Sequence, residues 1–314
     1  MRRRAGRLLL AGAGVLLAAG LLVALLRPEW LLEGEYARLR WLAGAQEKTL
    51  HAAGHRWAYL ESGRADAPLI VLVHGFTGLK EGWLPLMREL QDEYRLIAPD
   101  LPGWNESERQ PGADYGVEAQ AERLADFLAA LDAPTALLVG HSMGGFTAGL
   151  TAAAHPGRVP KLVLMSAAGV RFEINDFARQ VLAGEHPFAV TDRASLHRYL
   201  ALIFSDPPFV PWPVDEALAR RRRASLEFER EVLDRTHREP QAFLLETRLH
   251  ALTMPTLLLW CRDDRVIDVS AADVFAAGLP HSQTVILEGC GHMPPMERPG
   301  EVADALRRFA GGAR

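Results

Sequence analysis

A chain of 314 residues, 49 % of them hydrophobic, is long enough to bury one large core or two ordinary ones. Its net charge of −4 gives no general basis for binding nucleic acid. Its two cysteines, Cys261 and Cys290, lack the C-x-x-C spacing of a zinc site, and no metal or cofactor is expected.

The first seven residues carry four arginines, and Leu8 to Leu26 then run for 19 residues without a charged or strongly polar side chain. A helix rises ~1.5 Å per residue, so this run spans roughly 28 Å, close to the ~30 Å hydrocarbon core of a bilayer. It is longer than the ~7–15 apolar residues of a cleaved leader, and it reaches Arg27 without a clear A-x-A site. Residues 1–27 are therefore expected to form a retained transmembrane anchor with the arginine-rich end inside. The main domain is then expected on the periplasmic face of a bacterial inner membrane. Residues 28–47 mix Trp30, Tyr36 and Trp41 with Arg38 and Arg40, and Leu31, Leu32, Leu39 and Leu42 keep roughly helical spacing. This predicts a juxtamembrane helix, either lying among lipid headgroups or packed on the domain as a linker.

Residues 48–169 alternate strand and helix signals. Lys48–Leu50 and Arg56–Leu60 read as a short antiparallel pair turning near Gly54, and Leu69–Val73 as a strand buried on both faces. Gly82–Gln91 reads as a helix, Tyr94–Ala98 as a strand, and Tyr115–Leu131 as a helix with apolar residues at a 3.6 period. The strand Ala136–Val139 is followed by a helix reaching about His155, and Leu162–Met165 is a further strand. In residues 170–254 the alternation stops. Segments such as Phe204-Ser205-Asp206-Pro207-Pro208-Phe209 and Pro211-Trp212-Pro213 suggest a helical insertion, expected to cap the site as a lid. The run Arg220–Arg223 reads as a solvated helix face, with a basic patch against anionic headgroups as the alternative. Residues 255–314 resume the pattern with strands Thr256–Cys261 and Thr284–Leu287 and helices near Val269–Gly278 and Val302–Ala310. The whole predicts an α/β fold with a doubly wound, mostly parallel sheet, whose sites lie at the carboxyl ends of its strands.

The stretch Val139-Gly140-His141-Ser142-Met143-Gly144-Gly145 has the G-x-S-x-G form of a nucleophile elbow, a sharp strand-to-helix turn that lifts a serine hydroxyl clear of the sheet. Side chains at Gly140 or Gly144 would collide with neighbouring backbone in such a turn. A serine needs a base within reach and an acid to orient that base. Gly291-His292-Met293 follows the last strand and supplies the imidazole. His141 is expected to be a packing or polar support residue, and His155 and His281 to lie at the surface. The acid should follow the preceding strand, where Arg262-Asp263-Asp264-Arg265 stands. Asp264 is favoured, Asp268 is held in reserve, and Asp263 is expected to face solvent or pair with an arginine. Two N–H donors are needed for the oxyanion, and Met143 and Phe76 supply them, with Gly75 in His74-Gly75-Phe76 letting that backbone approach closely. Asp100, in Asp100-Leu101-Pro102-Gly103-Trp104-Asn105, is read as structural.

With these motifs in this order the chain resembles the α/β-hydrolase superfamily from about Lys48 to its carboxyl end. Within it the chain is most similar to membrane-anchored monoacylglycerol lipases of the ABHD six type, on the amino-terminal anchor, Trp260–Ser270, and Cys290-Gly291-His292 followed by Met296-Glu297-Arg298-Pro299. The resemblance implies Ser142, Asp264 and His292 as a triad and hydrolysis of lipid-derived carboxylic esters through an acyl-serine. Asn105 stands where the family usually has Gly, and because Asn tolerates a left-handed conformation the turn is expected to survive. A C–C bond hydrolase of the same frame is the second reading, and a catalytically silent membrane-anchored binding module the third. Cys261 and Cys290 are expected to be buried free thiols, with a disulfide bracing the triad loops as the alternative.

Overall fold

The computed structural model describes residues 27–236 and 240–311, together with Gly12, Gly14, Gly20, Leu22 and Leu26. Apart from those positions the expected transmembrane run lies outside the described residues. Among the described residues, no helix is long and apolar enough to cross a membrane. The amino-terminal helix α1 covers Pro28–Leu42, close to the juxtamembrane helix expected there.

Eight strands form one sheet: β1 Gln46–Ala52, β2 His55–Ser62, β3 Leu69–Val73, β4 Arg95–Pro99, β5 Thr135–His141, β6 Leu162–Met165, β7 Thr256–Cys261 and β8 Ser282–Leu287. Their spatial order is β1-β2-β4-β3-β5-β6-β7-β8, with β1 and β2 antiparallel and every pair from β4 to β8 parallel. β3 and β6 are unbroken apolar runs, and β7 is apolar after Thr256, because helices cover both faces of the sheet. β1 is largely exposed, and its lysine at position 48 pairs with Glu61 at 2.8 Å, which blunts that edge. The hairpin from β1 to β2 turns at Ala53 and Gly54, both at positive φ, as a two-residue turn of this twist requires.

Between these strands run α2 Leu84–Leu90, preceded by a 3₁₀ turn at Lys80–Trp83, then α3 Val117–Ala130 and α4 Met143–Ala154. The insertion between β6 and β7 holds α5 Asp176–Leu182, α6 Arg193–Ile203, α7 Val214–Ala224 and α8 Leu226–Thr236. The carboxyl end adds α9 Ser270–Gly278, the single turn α10 Pro294–Glu297, and α11 Pro299–Gly311. Two apolar cores lie on opposite faces of the sheet, one with α3, α4 and the insertion, the other with α2 and α11.

Two expectations are corrected here. Cys261 and Cys290 form a disulfide, with their Cα atoms 5.3 Å apart. β7 and β8 are adjacent parallel strands that pair Cys261 with Leu287, and the chain turns back at Gly289, at positive φ, bringing Cys290 beside Cys261. The arginine run on α7 is also not a uniform solvated face. Arg220 and Arg223 are exposed, but Arg222 turns inward to Glu229 at 2.9 Å and to the Phe188 carbonyl at 3.1 Å. Arg221 reaches Glu33 on α1 at 3.3 Å and hydrogen-bonds Asn105. Two of the four guanidiniums are thus committed to partners within the protein.

Candidate active site

Ser142 sits at the end of β5 with φ 55° and ψ −122°, and α4 begins at the next residue. For a residue with a side chain this backbone costs on the order of 1–3 kcal/mol and must be held by its surroundings. Ser142 N–H donates to the Met165 carbonyl at 3.0 Å, and Ser142 O accepts from Phe146 and Ala168 N–H, both at 3.1 Å. The glycines are needed sterically: a Cβ at Gly140 would lie 2.3 Å from Gly144 O, and one at Gly144 would lie 2.3 Å from His74 O.

The loop after β3 abuts this turn. A Cβ at Gly75 would come 2.8 Å from Ser142 Cβ, so only glycine lets Phe76 pass this close to the serine. His74 Nε2 accepts from Leu101 N–H at 3.0 Å, so Nδ1 carries the proton and donates to Gly75 O at 2.8 Å. Burial pushes the His74 pKa down, which keeps the ring neutral in that role. Thr77, at φ 59°, bonds the Tyr199 hydroxyl of α6 at 2.9 Å, and the Phe76 ring packs against Trp104 and Phe188.

Asp264 and His292 come from the loops after β7 and β8. His292 Nδ1 lies 2.8 Å from Asp264 Oδ2 and 3.0 Å from Oδ1, and Oδ1 also accepts from Val266 and Ile267 N–H at 2.8 and 3.0 Å. Ser142, Asp264 and His292 are 7, 5 and 3 % exposed. His292 N–H donates to Ile203 O at the end of α6, so the insertion helps to seat that loop. The His292 carbonyl accepts from His141 Nε2 at 2.6 Å. Burial, followed by the neighbouring His292, holds the His141 pKa well below its ordinary value. Asp268 lies elsewhere: its Oδ1 accepts from Ser270 N–H at 2.9 Å, at the start of α9. Asp263 is exposed.

A buried ion cluster behind the Phe76 loop escaped sequence reasoning. Lys80 is fully buried, and its Nζ meets Glu106, Glu81 and Asp100 at 2.7, 2.9 and 3.2 Å. Burial alone would depress the ammonium's pKa, but Asp100, Glu81 and the bond to Glu106 outweigh it and the net shift is upward. Asp100 also accepts from Lys80 N–H at 2.8 Å and from Asn105 Nδ2 at 2.8 Å, so it ties the Phe76 loop to the turn at Asn105, whose φ is 44°. No local pattern in the sequence pointed to this cluster, since Lys80-Glu81 reads as an ordinary charged pair.

Two cavities meet at Ser142, and both are lined by Phe76 and Phe188. The larger, ≈ 680 Å³, runs past Met143 and Phe146 to Phe177 and Val181 on α5. The smaller, ≈ 240 Å³, contains His292 and extends to Tyr199, Leu218 and Leu39. Among the described residues, no group of three or more His, Cys, Asp or Glu side chains is arranged to hold a metal ion.

A family model described as "alpha/beta hydrolase fold" matches residues 68–299. The chain is 29 % identical over 296 residues to the human monoacylglycerol lipase ABHD6, covering 91 % of this chain and 88 % of that protein. It is 28 % identical to lipase 1 of Psychrobacter immobilis, over 82 % of this chain and 81 % of the lipase. Among solved structures it resembles a bacterial membrane phospholipase A described as a virulence factor, with TM-score 0.88, 35 % identity, and coverage of 98 % of this chain and 100 % of that one.

Proposed function

The chain belongs to the α/β-hydrolase family, and from that premise we propose that Ser142 is its nucleophile in hydrolysing carboxylic esters of lipid-derived substrates such as monoacylglycerols. His292 Nε2 takes the Ser142 proton as Oγ attacks the ester carbonyl, and Asp264 holds the other ring nitrogen and stabilises the imidazolium. The N–H groups of Phe76 and Met143 receive the oxyanion. The tetrahedral species collapses to an acyl-serine as His292 returns the proton to the departing alcohol oxygen. Water, deprotonated by His292, then releases the acid. The observation that carries this reading is the placement of Ser142 and the Asp264-bound His292 on one apolar cavity at the carboxyl edge of the sheet.

The experiment is turnover of para-nitrophenyl esters of graded acyl length, with covalent labelling by a fluorophosphonate. Ser142→Ala should lose the label and at least ~10³-fold in kcat, since removing a triad serine leaves only binding and oxyanion stabilisation. Equal turnover by the variant would overturn the assignment. Activity confined to short acyl chains would overturn the lipid reading. The anchor expected over residues 1–27 belongs to the same proposal: the membrane would deliver the substrate.

A further inference from the structure

We propose that Glu297 is a positioning residue, which fixes the backbone on both sides of His292 and ties it to the end of α6. This rests on Ser142 and His292 being the nucleophile and its base. The Glu297 carboxylate accepts three backbone N–H groups. Its Oε1 receives Gly291 N–H at 2.8 Å and Met293 N–H at 3.3 Å, from the residues on either side of His292. Its Oε2 receives Ser205 N–H at 2.8 Å, from the chain just past α6. The N–H of His292 itself donates to Ile203 O at 2.9 Å. The three successive N–H groups around the base are therefore held by one side chain and by the end of α6, and that side chain also holds the end of α6.

The local sequence makes this arrangement possible. Pro294 and Pro295 open the single turn α10, and neither has an N–H to compete for the carboxylate. The turn closes as Met296 and Glu297 N–H donate to Met293 O, both at 2.9 Å, which brings the Glu297 side chain back to the loop it follows. Gly291 lets that loop meet the end of α6: a Cβ there would lie 2.8 Å from Ser205 N and 3.1 Å from Ile203 O. A carboxylate suits these donors because it accepts on both oxygens. A glutamine would turn its NH2 group either on Ser205 N–H or on Gly291 and Met293 N–H, donor against donor. The consequence falls on His292 Nε2, which must reach both Ser142 Oγ and the departing oxygen. A misplacement of about 1 Å at such an atom costs up to ~10²-fold in rate.

The test compares Glu297→Gln with Asp192→Ala on one para-nitrophenyl ester, with rates normalised to the serine titrated by fluorophosphonate. Asp192 caps α6 at the end remote from His292, accepting Ser195 N–H at 2.7 Å. Glu297→Gln should lower kcat roughly 10–100-fold and leave KM within about threefold of wild type. Its fluorophosphonate labelling should slow by a similar factor, since the same base activates the serine, yet still reach completion. Asp192→Ala removes a helix cap, so it should lower Tm and leave kcat within about twofold of wild type. Glu297→Asp keeps the charge and both acceptor oxygens, and its kcat should lie between those of wild type and Glu297→Gln. If Glu297→Gln is not recovered folded, Glu297→Asp carries the comparison, with a kcat still below that of Asp192→Ala. Unchanged kcat in the Glu297 variants, an equal loss in Asp192→Ala, a loss confined to KM, or an aspartate variant slower than the glutamine one would overturn the proposal. Turnover surviving in Ser142→Ala would instead overturn the nucleophile assignment, so the two failures are distinct.

Discussion

Asp264 and Asp268 stand four positions apart on one loop, and their hydrogen bonds separate them. Asp264 accepts from two backbone N–H groups and from His292, whereas Asp268 only caps α9 through Ser270 N–H. Asp264→Asn should keep the fold and lower kcat about 10³–10⁴-fold, because an amide no longer fixes the imidazole tautomer. Asp268→Asn should leave kcat near wild type and cost at most ~1 kcal/mol, the scale of a weakened cap. Paired kinetics and urea unfolding check both, and a comparable kcat loss in Asp268→Asn would sink the distinction. The buried histidines set a pH dependence of stability. His74 and His141 both have folded pKa values lowered from about 6.5, chiefly by burial, so their contribution is full above that value and is lost as pH falls toward the folded pKa values. Each steepens the loss by up to ~1.4 kcal/mol per pH unit. Urea midpoints between pH 7.5 and 5 should fall more steeply for wild type than for His141→Gln. Parallel slopes would remove His141 from the account.

At the scale of elements, the disulfide and the ion cluster do related work. The Cys261–Cys290 bridge joins the end of β7, just before Asp264, to the loop carrying His292. Closing a chain separation of 29 residues stabilises by about 3–4 kcal/mol on the loop-entropy estimate. The double variant Cys261→Ser/Cys290→Ser should therefore lower Tm clearly, with a smaller loss of kcat, because the hydrogen bonds from Asp264 to Val266 and Ile267 remain. An unchanged Tm would contradict this. Strand and helix positions were legible in the sequence because apolar runs and 3.6-residue spacing are local. The pairing of the two cysteines was legible only as an alternative to free thiols, since adjacent strand ends permit it but the reversal at Gly289 is what brings the two sulfurs together. Lys80 was opaque: its partner Asp100 is 20 residues away and meets it only when the loops after β3 and β4 close together.

At the scale of the whole molecule, α1 packs against both the insertion and the core. It lies against α7, where Arg221 reaches Glu33, and Arg40 bonds Glu81 at 3.5 Å beside Lys80. The same helix leaves Trp30 and Trp41 exposed, at 60 and 78 %, directly after the apolar run of residues 8–26. An anchor entering the bilayer there would hold Trp30 near headgroup level, where indole rings favour the interface. Full-length protein should sediment with membranes and resist extraction by high salt, and removal of residues 1–27 should release an active, soluble enzyme. Full-length protein recovered in the soluble fraction would sink the anchor.

By itself the sequence determined the parallel sheet, the elbow at Ser142 and the loops bearing Phe76, Asp264 and His292. These are short-range signals: glycine where backbone crowds backbone, apolar runs where strands are covered on both faces, and polar residues where those runs end. Only the tertiary structure decided what happens between distant segments. It chose Asp264 over Asp268 as the partner of His292, paired the cysteines, turned Arg222 inward and divided the space around Ser142 into two cavities. Each outcome depends on side chains far apart in the chain, such as Thr77 and Tyr199, 122 residues apart. Which of many polar groups meet is set by the packing of the sheet and insertion, and no local pattern records it.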